Sequence, residues 1–133
     1  MDAYLLKEAY QSLRAFGIIA TKSISDGLLS GHIRGHRFIV EKIFPTQRGF
    51  FPSLDNYFSL NQIFDDEILG FFSFFPEKKK MKKILAPFAF GKLILQIHLN
   101  RQNKMVIKSF LIDYDKEFYL SPIRLIHSNL NYF

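Results

Sequence analysis

The sequence contains no cysteine and no tryptophan among its 133 residues. The lack of cysteine excludes disulfides, thiolate zinc ligands and a cysteine nucleophile. A cysteine-free composition is compatible with a reducing compartment, and we therefore expect a cytoplasmic protein.

Long apolar runs are also lacking. No stretch approaches the roughly 20 apolar residues that a membrane-spanning helix needs. The first residues, Met1 to Tyr4, carry no basic side chain of the kind that begins a signal peptide. We expect neither a leader peptide nor a membrane partner. The length predicts a single domain over residues 1–133, large enough to bury its own core.

Common catalytic motifs are absent as well. No Gly-Lys-Ser or Gly-Lys-Thr follows Gly27 and Gly31, so these glycines do not predict a phosphate-binding loop. No Gly-x-Ser-x-Gly element of a serine hydrolase is present. His32 and His36 are four residues apart, but the glycines beside them predict a turn rather than a zinc-binding helix. The acidic residues 65–67 are interpreted as a solvated turn.

Phenylalanine and lysine are abundant instead. The chain has 16 Phe and a net charge of +6. A single core of this size does not readily hide so many rings, which predicts some exposed aromatic surface. Five lysines fall within residues 78–83. We interpret this run as a solvated loop, and the alternative is a basic surface for nucleic acid or an acidic partner.

The spacing of apolar residues predicts an α+β domain with a mixed or mostly antiparallel sheet. An apolar stripe predicts a first helix over 3–16, capped by Asp2 and ended by Gly17. A second, short helix is predicted over 59–64, after a loop at 45–57 that Pro45 begins. The predicted strands cover 27–31, 37–44, 68–72, 92–99, 105–114, 118–120 and 123–126, with a hairpin turn at 100–103.

Several of these segments, in the same order, resemble the JAB/MPN (JAMM) family of zinc peptidases. The resemblance covers roughly residues 3–126 and implies a cytidine-deaminase-like mixed sheet flanked by an N-terminal helix and a short second helix. The segments that carry it are Gly27-Leu28-Leu29-Ser30-Gly31, Val40-Glu41, Phe58-Ser59-Leu60, Ile68-Leu69-Gly70-Phe71-Phe72, Lys108-Ser109-Phe110-Leu111-Ile112-Asp113 and Leu120-Ser121-Pro122-Ile123-Arg124.

The residues that give this family its chemistry are replaced. The family's catalytic Glu falls at Ile24, and the two histidines of its His-x-His-Pro motif fall at Ser73 and Phe75. No Ser-x-x-Asp follows the proline, because residues 77–108 contain neither Ser nor Asp. Asp26 lies near Ile24, but about 7 Å further along a strand, and it does not simply replace the missing Glu.

Catalytic zinc requires three protein ligands and a base that activates water. Phe75 has no lone pair and Ile24 accepts no proton, so the resemblance implies a metal-free pseudoenzyme without a cofactor. We expect it to act as a protein–protein interaction or scaffold module, binding a protein partner or its own copies. The alternative function is a nucleic-acid-binding module that uses the lysine run.

The aromatic run after residue 70 has two interpretations. We expect Phe75 to fill the pocket that zinc occupies in the family, together with core packing of its neighbours. The alternative is an exposed interaction surface beside the lysine run. Its residues are Phe72, Phe74, Phe75, Lys78, Lys79, Lys80, Lys82 and Lys83.

Overall fold

The chain folds as a mixed sheet with helices on both faces. The computed structural model describes residues 1–21, 25–46, 68–102 and 104–127. Within them, the helices are α1 (Lys7–Ile19), α2 (Lys78–Ile84) and the 3-10 helix Pro87–Ala89. The strands are β1 (Asp2–Leu5), β2 (Asp26–Arg34), β3 (Arg37–Thr46), β4 (Ile68–Ser73), β5 (Leu93–Leu99), β6 (Met105–Asp115), β7 (Glu117–Pro122) and β8 (Arg124–His127).

The eight described strands form one sheet in the order β7-β6-β5-β4-β2-β3-β1-β8. β1 pairs in parallel with both β3 and β8, and β4 pairs in parallel with β5. The remaining pairs are antiparallel. The α+β class and the mixed sheet are therefore as the sequence predicts, and so is the β5–β6 hairpin.

The sheet is curled, because its two ends approach one another around Ile123. The amide of Ile123 donates to the Ser109 carbonyl in β6 at 3.1 Å. The Ser109 hydroxyl in turn donates to the Ile123 carbonyl at 2.6 Å. The chain leaves β7 at this point and continues into β8 on the far side of the sheet.

Each face of the sheet buries its own apolar cluster. On the face that α1 covers, Leu13 and Phe16 pack with Leu29 and Phe72. On the face that α2 covers, Met81 and Ile84 pack with Phe71. Adjacent residues of one strand, such as Phe71 and Phe72, are both fully buried because the sheet is covered on both sides.

The beginning of the chain differs from the prediction. Residues 2–5 form β1, in which Ala3 and Leu5 alternate into the core, and the helix starts only at Lys7. Asp2 does not cap the helix, because its carboxylate accepts two hydrogen bonds from the Arg37 guanidinium. Gly17 does not end the helix either, since α1 continues to Ile19.

The other predicted boundaries are correct to within a few residues. Pro45 does not end β3, since it pairs with Gly27 inside the sheet. β1 reaches only to Val40 on the other side of β3, and the missing Pro45 amide therefore costs no bond to β1. The predicted helix at 59–64, most of the loop at 45–57 and the acidic residues 65–67 lie outside the described residues.

The lysine run is a helix rather than the predicted loop. Met81 and Ile84 are three residues apart and bury one face of α2, and lysine itself has a good helix propensity. Lys82 and Lys83 lie in the last turn, where positive charge stabilises the helix dipole. Among the described residues, no helix has both the length and the apolarity to cross a membrane.

Candidate functional site: a buried carboxylate beside helix α2

A polar cluster lies at the point where β2 begins and β4 ends. Asp26 and Ser73 are direct partners across the antiparallel β2–β4 pair, and the Phe74 amide extends the pairing by donating to the Ser25 carbonyl at 2.9 Å. Strand alternation places the side chains of Asp26 and Ser73 on the same face as Phe71, the face that α2 covers. Asp26 is only 5% exposed and Ser73 is fully buried.

Hydroxyl groups surround the Asp26 carboxylate. The Ser73 hydroxyl donates to Asp26 Oδ1 over 2.6 Å, and the Ser25 hydroxyl donates to the same oxygen over 3.1 Å. The Ser73 oxygen also accepts the Phe75 amide at 3.2 Å. Ser73 therefore both donates and accepts within the protein, as a buried hydroxyl requires.

The Lys80 ammonium supplies the opposite charge. Its Nζ lies 3.1 Å from Asp26 Oδ1 and 3.0 Å from Oδ2, and 3.4 Å from the Ser25 hydroxyl. The Lys80 side chain is 20% exposed, so water reaches one side of this ion pair. We call Ser25, Asp26, Ser73 and Lys80 the Asp26 cluster.

The Asp26 cluster does not fit a zinc ion. Of its four side chains only Asp26 offers a charged ligand, and the ammonium of Lys80 already occupies the side of the carboxylate that faces α2. No group of three or more His, Cys, Asp and Glu side chains suited to a metal occurs within the described parts of the chain. The cluster's donors are hydroxyls and an ammonium, which stabilise a carboxylate rather than a cation.

Of the two phenylalanines after Ser73, Phe74 packs in the core as predicted, whereas Phe75 does not. Phe74 is 6% exposed and packs edge-to-face against Phe16 and Phe72, at ring distances of 5.7 and 6.2 Å. Phe75 is 36% exposed, and the expectation that it fills a buried pocket is wrong. It borders an open cleft of about 500 Å³ beside the end of α1 and the end of β5.

The alternative interaction surface is present only in part. Phe72 and Phe74 are buried and have no surface for a partner. Lys80 is directed into the Asp26 cluster. The exposed members are Phe75, Lys78, Lys79, Lys82 and Lys83. Ile24, the position of the family's catalytic Glu, lies outside the described residues.

Sequence reasoning missed Asp26 as the centre of this site. The residue is visible as an acid at the start of an apolar strand, which is an unusual place for an unpaired carboxylate. Its partner Lys80 lies 54 positions away and was hidden within a run of similar lysines. The helical period identifies it only when α2 is recognised as a helix.

The histidines do not form a second centre. His32 lies in β2 and its Nδ1 is 2.5 Å from a Glu41 carboxylate oxygen, with both side chains about half exposed. His36 belongs to the β2–β3 turn, where Gly35 has a φ of 62°. The turn predicted from the glycines is present, although β2 extends further into it, to Arg34.

The fold and site thus define an α+β protein with a curled mixed sheet and a buried carboxylate–ammonium pair. No family model matches the chain, and no curated protein matches it. Among solved structures, the chain is similar to the solution structure of protein DSY2949 from Desulfitobacterium hafniense, a structural genomics target. The two are 24% identical, with a TM-score of 0.68 over 95% of this chain and 92% of that one. This similarity concerns the fold alone.

Proposed function

We propose that this protein is a metal-free JAB/MPN-like domain that acts as a protein–protein interaction module rather than as a peptidase. The observation that carries the proposal is the Asp26 cluster. The cluster contains Ser73, the position at which the resemblance puts the family's first zinc-binding histidine. The Ser73 hydroxyl both donates and accepts a hydrogen bond within the protein. A zinc-bound water at this place would meet an ammonium instead of a base.

The exposed apolar side chains support an interaction role. Ile18 and Ile19 are 84% and 70% exposed at the end of α1, and Phe90 is 56% exposed after the 3-10 helix. Exposed apolar side chains of this size are more typical of interfaces than of charged substrate clefts.

The nucleic-acid alternative has weaker support. α2 presents four exposed lysines, but Lys80 is engaged by Asp26 and the buried face of the helix is apolar. The aromatic neighbours Phe72 and Phe74 are buried, so they offer no stacking platform for bases.

Two measurements test the proposal. Protein purified without chelators and dialysed against zinc chloride should retain well below one zinc per chain by mass spectrometry. Tagged protein recovered from its own cells should carry a stoichiometric protein partner or a second copy. One zinc per chain, lost on Asp26→Asn substitution, would contradict the metal-free assignment. Tagged protein that is recovered as a monomer with no bound partner would contradict the interaction role.

A further inference from the structure

The outer side of β7 is a sheet edge that no other described strand covers, and it carries a defined set of hydrogen-bonding groups. In β6, the amide and carbonyl of Ile112 bond to the chain at Gly91 and Lys92, on the β5 side. The Ser109 carbonyl bonds to Ile123, on the β7 side. Odd-numbered β6 residues therefore bond towards β7, and their direct partners Tyr119 and Ser121 bond back towards β6.

The even-numbered residues of β7 consequently face outwards. Phe118 and Leu120 each present an amide and a carbonyl to the outside, and Pro122 presents a carbonyl but has no amide. No strand pairs with this side of β7 within the described parts of the chain. Proline at the end of the strand limits pairing to a short central segment, as edge strands often do.

Aromatic side chains lie beside this edge. Phe118 contacts Tyr114 and Phe90, with ring centroids 4.9 and 6.5 Å apart. Tyr114 is 54% exposed and Phe90 is 56% exposed, on the face of the sheet that α2 covers further along. Tyr119 points to the opposite face and is 40% exposed.

We propose that β7 pairs antiparallel with β7 of a second copy, around a two-fold axis at Tyr119. This inference rests on the proposed interaction function and names its partner. In this register Phe118 lies opposite the second copy's Leu120, and the outward groups make four backbone hydrogen bonds. A register centred on Leu120 would place Phe118 opposite Pro122, which lacks an amide, and one centred on Phe118 would leave Leu120 opposite the turn residue Lys116.

The charges and shapes of the edge favour a second copy of this chain. The register places Glu117 opposite Ser121, whose hydroxyl can donate to the carboxylate, and it places no like charges directly opposite. Phe118 meets Leu120 next to the exposed Tyr114 and Phe90, which extends the aromatic cluster across the axis. An isologous pairing of this kind closes as a dimer and leaves no further edge at the same site.

Substitution of Tyr119, the residue on the two-fold axis, by charged residues tests the pairing. Tyr119→Lys places two like charges opposite one another, and Tyr119→Glu does the same with the other sign. Each should weaken dimerisation at least about tenfold in sedimentation over roughly 1 µM to 1 mM. Mixing the two variants should restore a dimer, since the lysine then faces the glutamate. Ser12→Lys, at an exposed position on α1, is the control and should dimerise normally.

The outcomes separate this inference from the proposed function. A wild-type chain that stays monomeric at the highest concentration overturns the β7 pairing, and so does a dimer that both Tyr119 variants leave intact. Neither result decides the interaction role itself. That role is tested separately, by recovery of a different protein partner from cells. Thermal melts of all variants check that the monomer is folded. Hydrogen exchange at the Phe118 and Leu120 amides should slow as the concentration rises.

Discussion

The Asp26 carboxylate has three side-chain donors, which make two kinds of contribution to stability. Ser25 and Ser73 offer neutral hydrogen bonds, whereas Lys80 offers charge. A buried carboxylate that loses its counter-charge pays a desolvation cost which the hydroxyls only partly offset. Lys80 therefore differs in role from the other lysines of the run.

We predict that Lys80→Met destabilises the fold by about 1–3 kcal/mol, below the cost for a fully buried pair because water reaches Lys80. Lys83→Met, an exposed position of the same helix, should change stability by less than about 0.5 kcal/mol. Denaturant unfolding of both variants measures the difference. Asp26→Asn combined with Lys80→Met should recover part of the loss, and equal effects of the two lysine substitutions would contradict the ion pair.

Phe74 and Phe75 give a second prediction, because neighbouring residues of one type have opposite surroundings. Phe74→Ala removes a buried ring between Phe16 and Phe72 and should cost about 3–5 kcal/mol. Phe75→Ala should cost less than about 1 kcal/mol, since the side chain is already partly in solvent. A comparison of the two unfolding midpoints checks this, and a larger loss for Phe75 would reverse the assignment.

Strand alternation accounts for Phe74, which packs on Phe72, but not for Phe75. Alternation would put Phe75 on the buried face of Phe71 only if the strand continued through both residues. β4 ends at Ser73, and the Phe75 amide turns back to bond the Ser73 hydroxyl. The two-residue period of the strand therefore holds up to Ser73, the last residue of β4. The hydrogen bond from the Phe75 amide, which ends the strand, could not be predicted from residue types.

At the scale of elements, α2 shows how composition can hide periodicity. Five lysines dominate its seven residues, and the apolar signal consists only of Met81 and Ile84. A window of this length contains barely two turns, so the helix depends on packing against Phe71 and Ile94 that lie elsewhere in the sequence. The longer elements α1 and β6 were predictable because they repeat their pattern over more residues.

The four outward lysines of α2 provide the element-scale prediction. Replacement of Lys78, Lys79, Lys82 and Lys83 by Gln should leave folding and self-association within about tenfold of wild type. The reason is that these side chains are exposed on α2, whereas the proposed pairing is made by the backbone of β7. Oligonucleotide binding is measured in parallel at physiological salt. Submicromolar binding that the Gln variant loses, with a flattened salt dependence, would favour the nucleic-acid alternative.

At the scale of the whole molecule, β8 joins the end of the described chain to its beginning. His127 lies at the end of β8 and stacks on Tyr10 of α1, with ring centroids 4.5 Å apart. Its Nδ1 is buried and has no hydrogen-bond partner among the described residues. Burial lowers the pKa of His127 below its ordinary value of 6.5, because the charged imidazolium is poorly solvated there.

This shift predicts an acid-dependent loss of stability. Well above pH 6.5 the imidazole is neutral in both folded and unfolded chains. As the pH falls below 6.5 the unfolded chain takes up the proton first, and stability decreases until the folded pKa is passed. His127→Phe keeps a ring on Tyr10 and should flatten this part of the profile. The difference in unfolding free energy between variant and wild type should grow in the variant's favour as the pH falls from 8 to 5, and parallel profiles would contradict it.

The Asp2–Arg37 pair acts in the same direction at lower pH. The hydrogen bond from Arg37 holds the pKa of Asp2 below its ordinary value of 3.8. Its contribution is complete above that value and is lost as the pH falls through the folded pKa. The Asp2–Arg37 pair joins β1 to β3, and His127 lies in β8 beside β1. Acid should therefore loosen this side of the sheet first.

The sequence predicted the class of the fold and most strands, but not how the strands are ordered. The pairing of β1 with both β3 and β8 depends on residues at opposite ends of the chain, such as Ala3 with Phe38 and with Leu125. Four residues with two apolar positions are too short for a period to distinguish a strand from the start of a helix. A long separation in sequence likewise concealed that Asp26 pairs with Lys80.

The position of β1 between β3 and β8 has a consequence for synthesis on the ribosome. Of the eight described strands β1 is translated first, yet its second neighbour, Arg124–His127, is among the last of the described residues to be translated. Until then the side of β1 that pairs with β8 has no neighbour. The sheet therefore closes only after release of this segment from the exit tunnel, and a chaperone that covers β1 would act during that interval.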